Sequence, residues 1–421
     1  MKSLHLTNAY HPTSGGIRTW YRQVLASAGA HGWDARLVVP GERSAVEEVN
    51  PHARIYHVRA PRSPVFDQRY RLILPHRYLF PGGEIRRILL AEAPDIVEVA
   101  DKYALVWLAG IIRKNLVRGL RRPVLIGFSF ERMDDNVAAF LGANGALRPA
   151  AATYMSRCYF PLFDVHLAVS EYTAAELEGA RRGPQPVHVQ PCGVEAGAFS
   201  PRFRSEALRR TLLDACGGTG DTTLLLYVGR LSPEKNIRLL VDAMGELDGG
   251  PGDFRLVVAG SGPLAGWLQE CAGRLAPGRI LLWGQVQDRQ ALAQLYATCD
   301  VFVHPNAHEP FGIAPLEAMA SGIPAVLPRH GGVLTYADDS NAWLAAPAGG
   351  AFADAVRALR SDPEEARRRT ERARETAVRF DTSRMMDQLF SLYGTLTGSG
   401  RHQAAAPRGE PGGRNAAPLE T

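Results

Sequence analysis

Lysine is nearly missing from this chain of 421 residues. Only four of its 48 basic residues are lysines, so arginine supplies almost all of its positive charge. A lysine inside a motif therefore stands out against the rest of the chain. Lys235 is one such residue.

Cysteine is scarce, and its spacing is wrong for a metal site. The five cysteines lie far apart, with no Cys-x-x-Cys and no paired histidines nearby. This pattern argues against a zinc site and against a disulfide framework. We therefore expect reduced, packed thiols and no bound metal.

Long hydrophobic runs are also missing. The longest uncharged apolar stretch, residues 104–112, is about half of the roughly 18 to 20 residues that a membrane span needs. The N-terminal MKSLHLTNAY lacks the apolar centre of a signal peptide. We expect a cytoplasmic protein.

Positive charge is concentrated in the first half. Residues 1–200 have a net charge of +6, against -1 for the remainder, and residues 54–122 hold 14 basic and 6 acidic side chains. Such a surface would suit an anionic acceptor or a peripheral contact with an anionic membrane. A solvated, arginine-rich surface explains it equally well. No basic motif with interleaved aromatic residues occurs, so nucleic acid is not an expected partner.

The chain is too long for one core, and its pattern predicts two α/β domains. Two series of short apolar strands alternate with helices, which indicates parallel sheets covered on both faces. We place the first domain at residues 1–198 and the second at 199–375. A last helix over 376–397 is expected to cross back to the first domain. The Gly- and Pro-rich residues 398–421 are expected to be disordered.

Two glutamates stand eight residues apart in the segment from Val303 to Gly322. The apolar run before Glu309 predicts a buried strand, and the apolar residues around Glu317 predict a helix. Glu309 should therefore lie in a loop at the carboxyl end of a strand, where open α/β sheets bind ligands. The backbone N–H groups that begin the helix would favour an anion or a ring of hydroxyls. A chance pairing of two acidic residues is the alternative.

A second motif, YVGRLSPEKN, follows another predicted buried strand. Gly229 lets the backbone approach a ligand, and the Ser-Pro pair predicts the start of a helix that contains Lys235. Arg230 offers a guanidinium fork and Lys235 a compact charge, which together suit the two negative groups of a diphosphate. A surface turn with two solvated cations is the alternative.

These motifs resemble those of the retaining, nucleotide-sugar-dependent glycosyltransferases of family 4, also called glycosyl transferases group 1, whose signature is EX7E. The resemblance implies an α/β fold of the GT-B kind, with two Rossmann-like doubly wound domains facing a cleft. It also implies that Arg230 and Lys235 bind the diphosphate and support its departing charge. By the same resemblance, Glu309 orients the sugar and Glu317 accepts hydrogen bonds from the ribose.

The resemblance extends to backbone positions around the donor. Phe311, Gly312 and Ile313 would present N–H groups to the sugar. A Gly-rich loop in each domain and a strand end beside the base would complete the donor site. These predicted donor-binding residues are Gly15, Gly16, Gly229, Gly262 and Val286.

Acceptor-side residues follow only from the resemblance. They are Asp67, Arg71, Asp101 and Glu131, and each has a surface or capping role as its alternative. In many relatives a histidine precedes the residue equivalent to Glu131, whereas this chain has Phe130. A histidine-dependent role at this position is therefore in doubt. Either another carboxylate replaces the histidine or no protein base is needed.

We thus expect transfer of a hexose from a nucleotide sugar to an acceptor hydroxyl, with retention of configuration. GDP-mannose is the leading donor and UDP-sugars are close behind; no separate cofactor is expected. A GT-B epimerase, a phosphorylase and a non-catalytic sugar-nucleotide-binding subunit remain as alternatives.

Overall fold

The computed structural model describes residues 1–11, 15–63, 70–141, 147–275 and 278–398. Two β-sheets form separate layers, each with helices on both faces. This confirms the predicted α/β class with two doubly wound domains. Asp67 and residues 399–421 lie outside the described residues.

The first sheet has eight strands in the described part of the chain, in the spatial order β3-β4-β2-β1-β5-β6-β7-β8. All neighbouring pairs are parallel except β3 with β4, which is antiparallel. The strands β1 to β8 are Lys2–Leu6, Asp34–Gly41, Ala45–Asn50, Ala53–Arg59, Ile96–Val99, Val124–Ser129, Val165–Ala168 and Val187–Val189.

The second sheet is parallel throughout its described strands, in the order β11-β10-β9-β12-β13-β14. Its centre, β9 and β12, places two carboxyl ends side by side, which is where the two sequence motifs begin. The strands β9 to β14 are Thr223–Val228, Phe254–Ala259, Ile280–Gly284, Val301–Val303, Ala325–Pro328 and Trp343–Ala345.

Helices connect most successive strands, except β2, β3 and β4, which follow one another directly, and β13 and β14, which a 3-10 turn joins. The predicted boundary at residues 198 and 199 falls between the last strand of the first sheet and the first helix of the second domain. Helices α1 to α7 of the first domain are Gly16–Ser27, His76–Leu79, Glu84–Glu92, Val106–Arg113, Met133–Leu141, Leu147–Tyr154 and Glu171–Ala180. Helices α8 to α15 are Glu206–Cys216, Ile237–Leu247, Ala265–Leu275, Arg289–Thr298, Ile313–Ala320, Gly349–Ser361, Pro363–Arg379 and Thr382–Leu396.

The last helix, α15, packs on the first domain. The Tyr393 hydroxyl donates a 2.5 Å hydrogen bond to Glu98 in the centre of the first sheet, and both side chains are fully buried. Phe390 stacks on His31 with ring centroids 4.6 Å apart. The return of the chain to its first domain therefore rests on a buried contact of α15.

The predicted helix over 376–397 is wrong in its start. α14 continues to Arg379, and a break precedes α15. At the break, the Asp381 carboxylate caps α15 by accepting from the Ser383 N–H. The backbone there also bonds to Val194, whose N–H and carbonyl pair with the segment on either side of Asp381. A local cap and a strand-like bridge therefore interrupt a sequence that is helical on both sides. Among the helices of the described residues, none is long and apolar enough to cross a membrane.

Candidate active site

The two sequence motifs meet at Glu309. This residue lies in the loop between β12 and α12, at the carboxyl edge of the second sheet. Its Oε2 accepts a 2.7 Å hydrogen bond from Lys235 Nζ and a 3.1 Å bond from Asn306 Nδ2. His304 Nε2 lies 3.2 Å from the same oxygen, within ion-pair distance but without hydrogen-bond geometry. One carboxylate oxygen thus gathers three nitrogen groups.

These neighbours keep Glu309 ionised although it is buried. Burial by itself raises the pKa of a carboxyl group, because the charged form loses its hydration. The positive charge of Lys235 and the contact with His304 outweigh that effect, and the pKa of Glu309 is lowered from its ordinary value. Glu309 is therefore an acceptor of hydrogen bonds at neutral pH, and it cannot serve as a general acid there.

The Pro-Phe-Gly loop is fixed by the glycine-rich loop after β13. The Gly332 N–H donates a 2.6 Å bond to the Glu309 carbonyl, and the Tyr336 hydroxyl donates a 2.6 Å bond to the Gly312 carbonyl. Gly312 has φ 89°, which favours glycine. A Cβ on Gly332 would lie 1.9 Å from the Pro310 carbonyl oxygen. The close approach of these backbones requires glycine and sets the position of Glu309.

The beginning of α12 faces the first domain. Gly312 is its N-cap and, among the described residues, no side chain caps it. Ile313, the first helical residue, lies beside the first domain's Gly-rich loop, since its Cδ1 is 3.4 Å from where a Cβ on Gly16 would stand. Gly15 is the N-cap of α1 and likewise lacks a side-chain cap. Two helix N-termini from the two domains thus meet, and both favour negative charge.

Arg230 links the two domains across the same cleft. Its Nη2 donates a 2.7 Å bond to the Tyr70 hydroxyl of the first domain. Tyr227 lies beneath this loop: its hydroxyl donates a 3.0 Å bond to the Arg230 carbonyl. Burial and the nearby Glu309 carboxylate raise the pKa of Tyr227 well above its ordinary value. Arg230 therefore lies at the domain interface, close to the Glu309 cluster.

The prediction that the Ser-Pro pair begins a helix containing Lys235 is confirmed, but this helix is a single 3-10 turn that is separate from α9. Pro233–Lys235 form one short 3-10 turn, and Asn236 follows with φ 53° in the left-handed region before α9 begins. Asparagine adopts this conformation more readily than most residues. Its side chain also donates a 3.4 Å bond to the Pro305 carbonyl. After this turn, the Lys235 side chain reaches Glu309.

The other glycines of the second domain permit close packing of loops. A Cβ on Gly229 would lie 2.7 Å from the Tyr227 hydroxyl, and one on Gly262 would lie 2.3 Å from the Leu231 carbonyl oxygen. Val286 is half-buried and packs against the core beside the end of β11. These residues border the Arg230 loop, and their roles toward a donor stay predictions.

Glu317 occupies the second turn of α12, as predicted. Its Oε2 accepts a 2.9 Å bond from the Tyr296 hydroxyl. Burial raises the pKa of Glu317 to about 7, although the tyrosine bond and Arg289 oppose the shift. The two glutamates of the signature therefore differ: Glu309 is firmly ionised, and Glu317 is poised near neutrality. A hydroxyl donor reaching Glu317 would favour its ionised form.

The predicted acceptor-side residues have separate environments. The Asp101 carboxylate accepts backbone N–H bonds at 3.0, 2.6 and 2.8 Å before α4, so its capping alternative is what the structure shows. Arg71 donates to the Ala60 carbonyl at 2.9 Å and to Glu42 at 2.6 Å. Burial raises the pKa of the Glu131 carboxyl. Asp67 lies outside the described residues.

Phe130 belongs to an aromatic cluster. Its ring centroid is 4.1 Å from that of Phe128 and about 6 Å from those of Trp20 and Tyr21. Phe130, which stands where many relatives have histidine, therefore packs against the hydrophobic core. Nothing in its chemistry would accept a proton.

Sequence reasoning missed a second bridge between the domains. His308 Nδ1 lies 3.1 Å from Asp135 Oδ1 and 3.1 Å from the Tyr172 hydroxyl. Both partners belong to the first domain. No spacing in the sequence indicates this pairing, because it depends on how the two sheets face each other. Asn306 was also missed, although it lies within the quoted signature segment, three residues before Glu309.

Comparison with known families matches nearly the whole chain. The family model described as Glycosyltransferase Family 4 matches residues 14–197. The model described as Glycosyl transferases group 1 matches residues 216–376. The two matched ranges correspond to the two sheets described above.

Several relatives are similar over most of their length. A Mycobacterium tuberculosis protein described as GDP-mannose-dependent alpha-(1-6)-phosphatidylinositol dimannoside mannosyltransferase is 30% identical over 402 residues, covering 95% of this chain and 98% of its own. A Corynebacterium glutamicum GDP-mannose-dependent alpha-mannosyltransferase is 29% identical, covering 79% and 73%.

Solved structures of glycosyltransferases have the same fold as this chain. Sucrose-phosphate synthase from Thermosynechococcus elongatus has a TM-score of 0.73 at 21% identity, covering 94% of this chain and 99% of its own. Anabaena HepE in complex with UDP-glucose has a TM-score of 0.67 at 19% identity, covering 94% and 100%. The predicted two-domain GT-B fold is thereby confirmed. Full-length similarity to family 4 enzymes, together with two matching family models, shows that this chain belongs to the family 4, group 1 glycosyltransferases.

Proposed function

We propose that this glycosyltransferase moves mannose from GDP-mannose to an acceptor hydroxyl, with retention of configuration at the anomeric carbon. The donor is supported by the names of two relatives that match most of the chain. A UDP-sugar is the alternative donor, and the UDP-glucose complex of Anabaena HepE favours it at the level of fold similarity alone.

One observation carries the proposal: a lysine, an ionised glutamate and an open helix start lie together at the interdomain cleft. Lys235 and Arg230 would bind the two phosphates, and the N–H groups at the start of α12 would add oriented dipoles. Their positive charge stabilises the negative charge that develops on the diphosphate as the glycosidic bond breaks. Glu309 would accept hydrogen bonds from the sugar hydroxyls and hold the ring in place.

Retention then requires no protein base. If the acceptor oxygen approaches from the face that the diphosphate leaves, a departing phosphate oxygen lies next to the acceptor proton. That oxygen gains negative charge as the bond breaks, and it takes the proton. Phe130, where many relatives have histidine, is compatible with this route. Because Arg230 and Lys235 neutralise the diphosphate, we also infer that the reaction needs no metal ion.

The test is transfer from GDP-mannose to α-1,6-mannobiose, with the anomeric configuration of the product measured by NMR. An α-linked product in the presence of EDTA supports the proposal. A β-linked product overturns retention, and loss of activity on chelation overturns metal independence. Release of an isomerised sugar without acceptor would indicate an epimerase, and release of mannose 1-phosphate with phosphate would indicate a phosphorylase. Binding of GDP without turnover of GDP-mannose by any of several acceptors, or by water, would indicate the non-catalytic subunit.

The first domain also has a surface suited to a membrane. Four apolar side chains are exposed near α2 and α3 and at the end of α4, and we call them the apolar patch: Leu79, Phe80, Leu90 and Leu116, with Phe80 65% exposed and Leu116 55% exposed. The buried guanidinium of Arg86 links two of the chain segments that carry these side chains. It donates hydrogen bonds to the carbonyls of Leu79 at 2.9 Å and Leu116 at 3.0 Å. Exposed apolar side chains grouped on one part of a domain mark an interaction surface.

Exposed basic residues occur in the same segments of the chain as the apolar patch. They are Arg87, Lys114, Arg118 and Arg121. Apolar side chains that insert between lipids, surrounded by cations that attract anionic headgroups, are the two signals that together give stable peripheral binding. We therefore propose that this face rests on an anionic membrane surface. An acceptor presented from a lipid would then reach the cleft of an enzyme that has no membrane-spanning helix among its described residues.

A further inference from the structure

Two exposed aromatic side chains lie at the cleft edge of the first sheet. Tyr103 is 37% exposed in the loop after β5, and Trp107 is 42% exposed in the first turn of α4. Large aromatic residues are costly to expose, and they are enriched where proteins bind ligands. The chemistry proposed above uses neither of them.

Both aromatics are held on a rigid support. The Asp101 carboxylate caps the start of α4, which fixes the loop that holds Tyr103. The Trp107 ring meets the Tyr154 ring edge to face, with centroids 6.2 Å apart. The Tyr154 hydroxyl in turn donates a 2.7 Å bond to the Lys102 carbonyl. A platform fixed in this way loses little conformational freedom when a ligand binds.

Polar groups border the platform. Asn136 Nδ2 donates a 3.0 Å bond to the Tyr103 hydroxyl. Glu131 lies close enough that its charge contributes to raising the pKa of Tyr103, after the larger effect of burial. A buried lysine, Lys102, donates hydrogen bonds to the Glu131 carbonyl and to Glu176 and so fixes this loop. An amide and a carboxylate therefore lie near the hydroxyl end of Tyr103.

A short path connects the platform to the donor site. Asn136 follows Asp135 in the first turn of α5, and Asp135 contacts His308 of the second domain at 3.1 Å. His308 is the neighbour of Glu309. The loops after β5 and β6 adjoin each other because the two strands are paired. The Tyr103 end of the platform is thus linked through Asn136, Asp135 and His308 to the loop of Glu309, the predicted sugar-binding carboxylate.

We propose that Trp107, Tyr103, Asn136 and Glu131 form a subsite for a pyranose ring of the acceptor. This inference rests on the proposed transferase function and specifies its substrate class. The apolar C–H face of a pyranose covers an aromatic ring, while its hydroxyls reach the amide and the carboxylate. The carboxylates of Glu131 and Asp101 disfavour an anionic group here. The acceptor is therefore itself glycosylated, and any phosphate it carries lies away from this subsite.

The test compares Trp107→Ala and Trp107→Phe in transfer from GDP-mannose to α-1,6-mannobiose. We expect Trp107→Ala to raise KM for the mannobiose about tenfold or more, the loss of a stacking contact of roughly 1.4 kcal/mol. KM for GDP-mannose and kcat should change less than threefold. Trp107→Phe, which keeps an aromatic face, should restore most of the affinity. Val378→Ala removes an exposed apolar side chain on α14 and serves as the control.

Three results decide the question, and thermal unfolding of each variant is measured to exclude misfolding. An unchanged KM for mannobiose in Trp107→Ala overturns the subsite. An equal loss with glycerol as the acceptor also overturns it, since glycerol has no ring to stack. If the native enzyme does not turn over mannobiose, saturation-transfer NMR with GDP present replaces kinetics, and no mannobiose signal overturns the subsite. Failure to bind GDP at all would instead contradict the proposed function.

Discussion

Lys235 and Glu309 are 74 residues apart in the chain, and their side chains meet in a 2.7 Å hydrogen bond. Each belongs to a different motif, one after β9 and one after β12, and these strands are neighbours in the sheet. The pairing keeps a lysine charge and an ionised carboxylate at one point of the cleft. A diphosphate entering there would compete with Glu309 for the lysine and leave the carboxylate available to the sugar.

Loss of Lys235 should abolish most of the activity. We expect Lys235→Ala to lower kcat/KM about 100-fold or more, because a group that stabilises developing charge is removed and Glu309 loses its main partner. Lys235→Arg should retain part of the activity, since it keeps the charge but not the compact ammonium group. Steady-state kinetics with GDP-mannose measures both.

The exposed Arg367 on α14 provides a matched control for this variant. Arg367→Ala should leave kcat/KM within about twofold, because an exposed ion pair contributes little. If Lys235→Ala keeps the native turnover while remaining folded, the assigned site is wrong.

Gly332 should not tolerate a side chain. In Gly332→Ala the new Cβ would stand 1.9 Å from the Pro310 carbonyl oxygen, so the loop that holds Glu309 must move. We expect a loss of about 1 to 3 kcal/mol in the free energy of unfolding, together with weaker GDP binding. Gly350→Ala is the control, since a Cβ there meets nothing within 4 Å. Equal melting temperatures for the two variants would show that the contact is not rigid.

Glu317 should make stability depend on pH. Its pKa is about 7 in the folded chain, compared with about 4.3 for an unperturbed glutamate. Between these pH values the folded state holds a proton that the unfolded state has lost. The contribution of Glu317 to stability is therefore highest below about pH 4.3 and falls as pH rises to about 7. We expect the ionisation of Glu317 to lower the free energy of unfolding by on the order of 1 to 2 kcal/mol over that pH range, allowing for its partial exposure.

The measurement is denaturant unfolding of the native chain and of Glu317→Gln from pH 4.5 to 8. Because other groups also titrate, the informative quantity is the difference between the two curves. Glu375→Gln, an exposed glutamate on α14, is the control and should follow the native curve. Parallel curves for the native chain and Glu317→Gln would show that Glu317 is ionised throughout.

Membrane binding should depend on the apolar patch. Phe80→Glu places a charge where the patch would enter the lipid, and we expect co-sedimentation with phosphatidylglycerol vesicles to fall about tenfold or more. Binding of the native chain should also weaken as salt rises, because exposed cations attract the headgroups. Val46→Glu alters an exposed valine on the edge strand β3 and should have little effect. Equal binding of the two variants would contradict the proposed face.

The contact that returns α15 to the first domain should stabilise the whole chain. In Tyr393→Phe, Glu98 loses a hydrogen bond in a fully buried position. We expect a loss of about 1 to 3 kcal/mol in the free energy of unfolding, measured with denaturant. The control is Tyr10→Phe, which changes a tyrosine that is only partly buried. A change of less than 0.5 kcal/mol would indicate that water replaces the lost hydroxyl.

Much of the fold was predictable because its strands are buried on both faces. β12, with the sequence VFV, is buried at each of its three positions, and such strands read as continuous apolar runs. β3 was missed for the opposite reason, since its side chains are exposed or half-exposed and leave no apolar pattern. The break between α14 and α15 was missed because it depends on a bridge to Val194, which is distant in sequence and lies just after the last strand of the first sheet.

The sequence by itself determined the family, the two doubly wound domains and the motif residues Arg230, Lys235, Glu309 and Glu317. These follow from local patterns: strand, turn, charged residue and helix start. The tertiary structure alone decided which groups meet, namely Lys235 with Glu309, His308 with Asp135, and Trp107 with Tyr154. The physical reason is that such contacts depend on which strands are neighbours and on how two separate sheets face each other, and neither is encoded within any short segment.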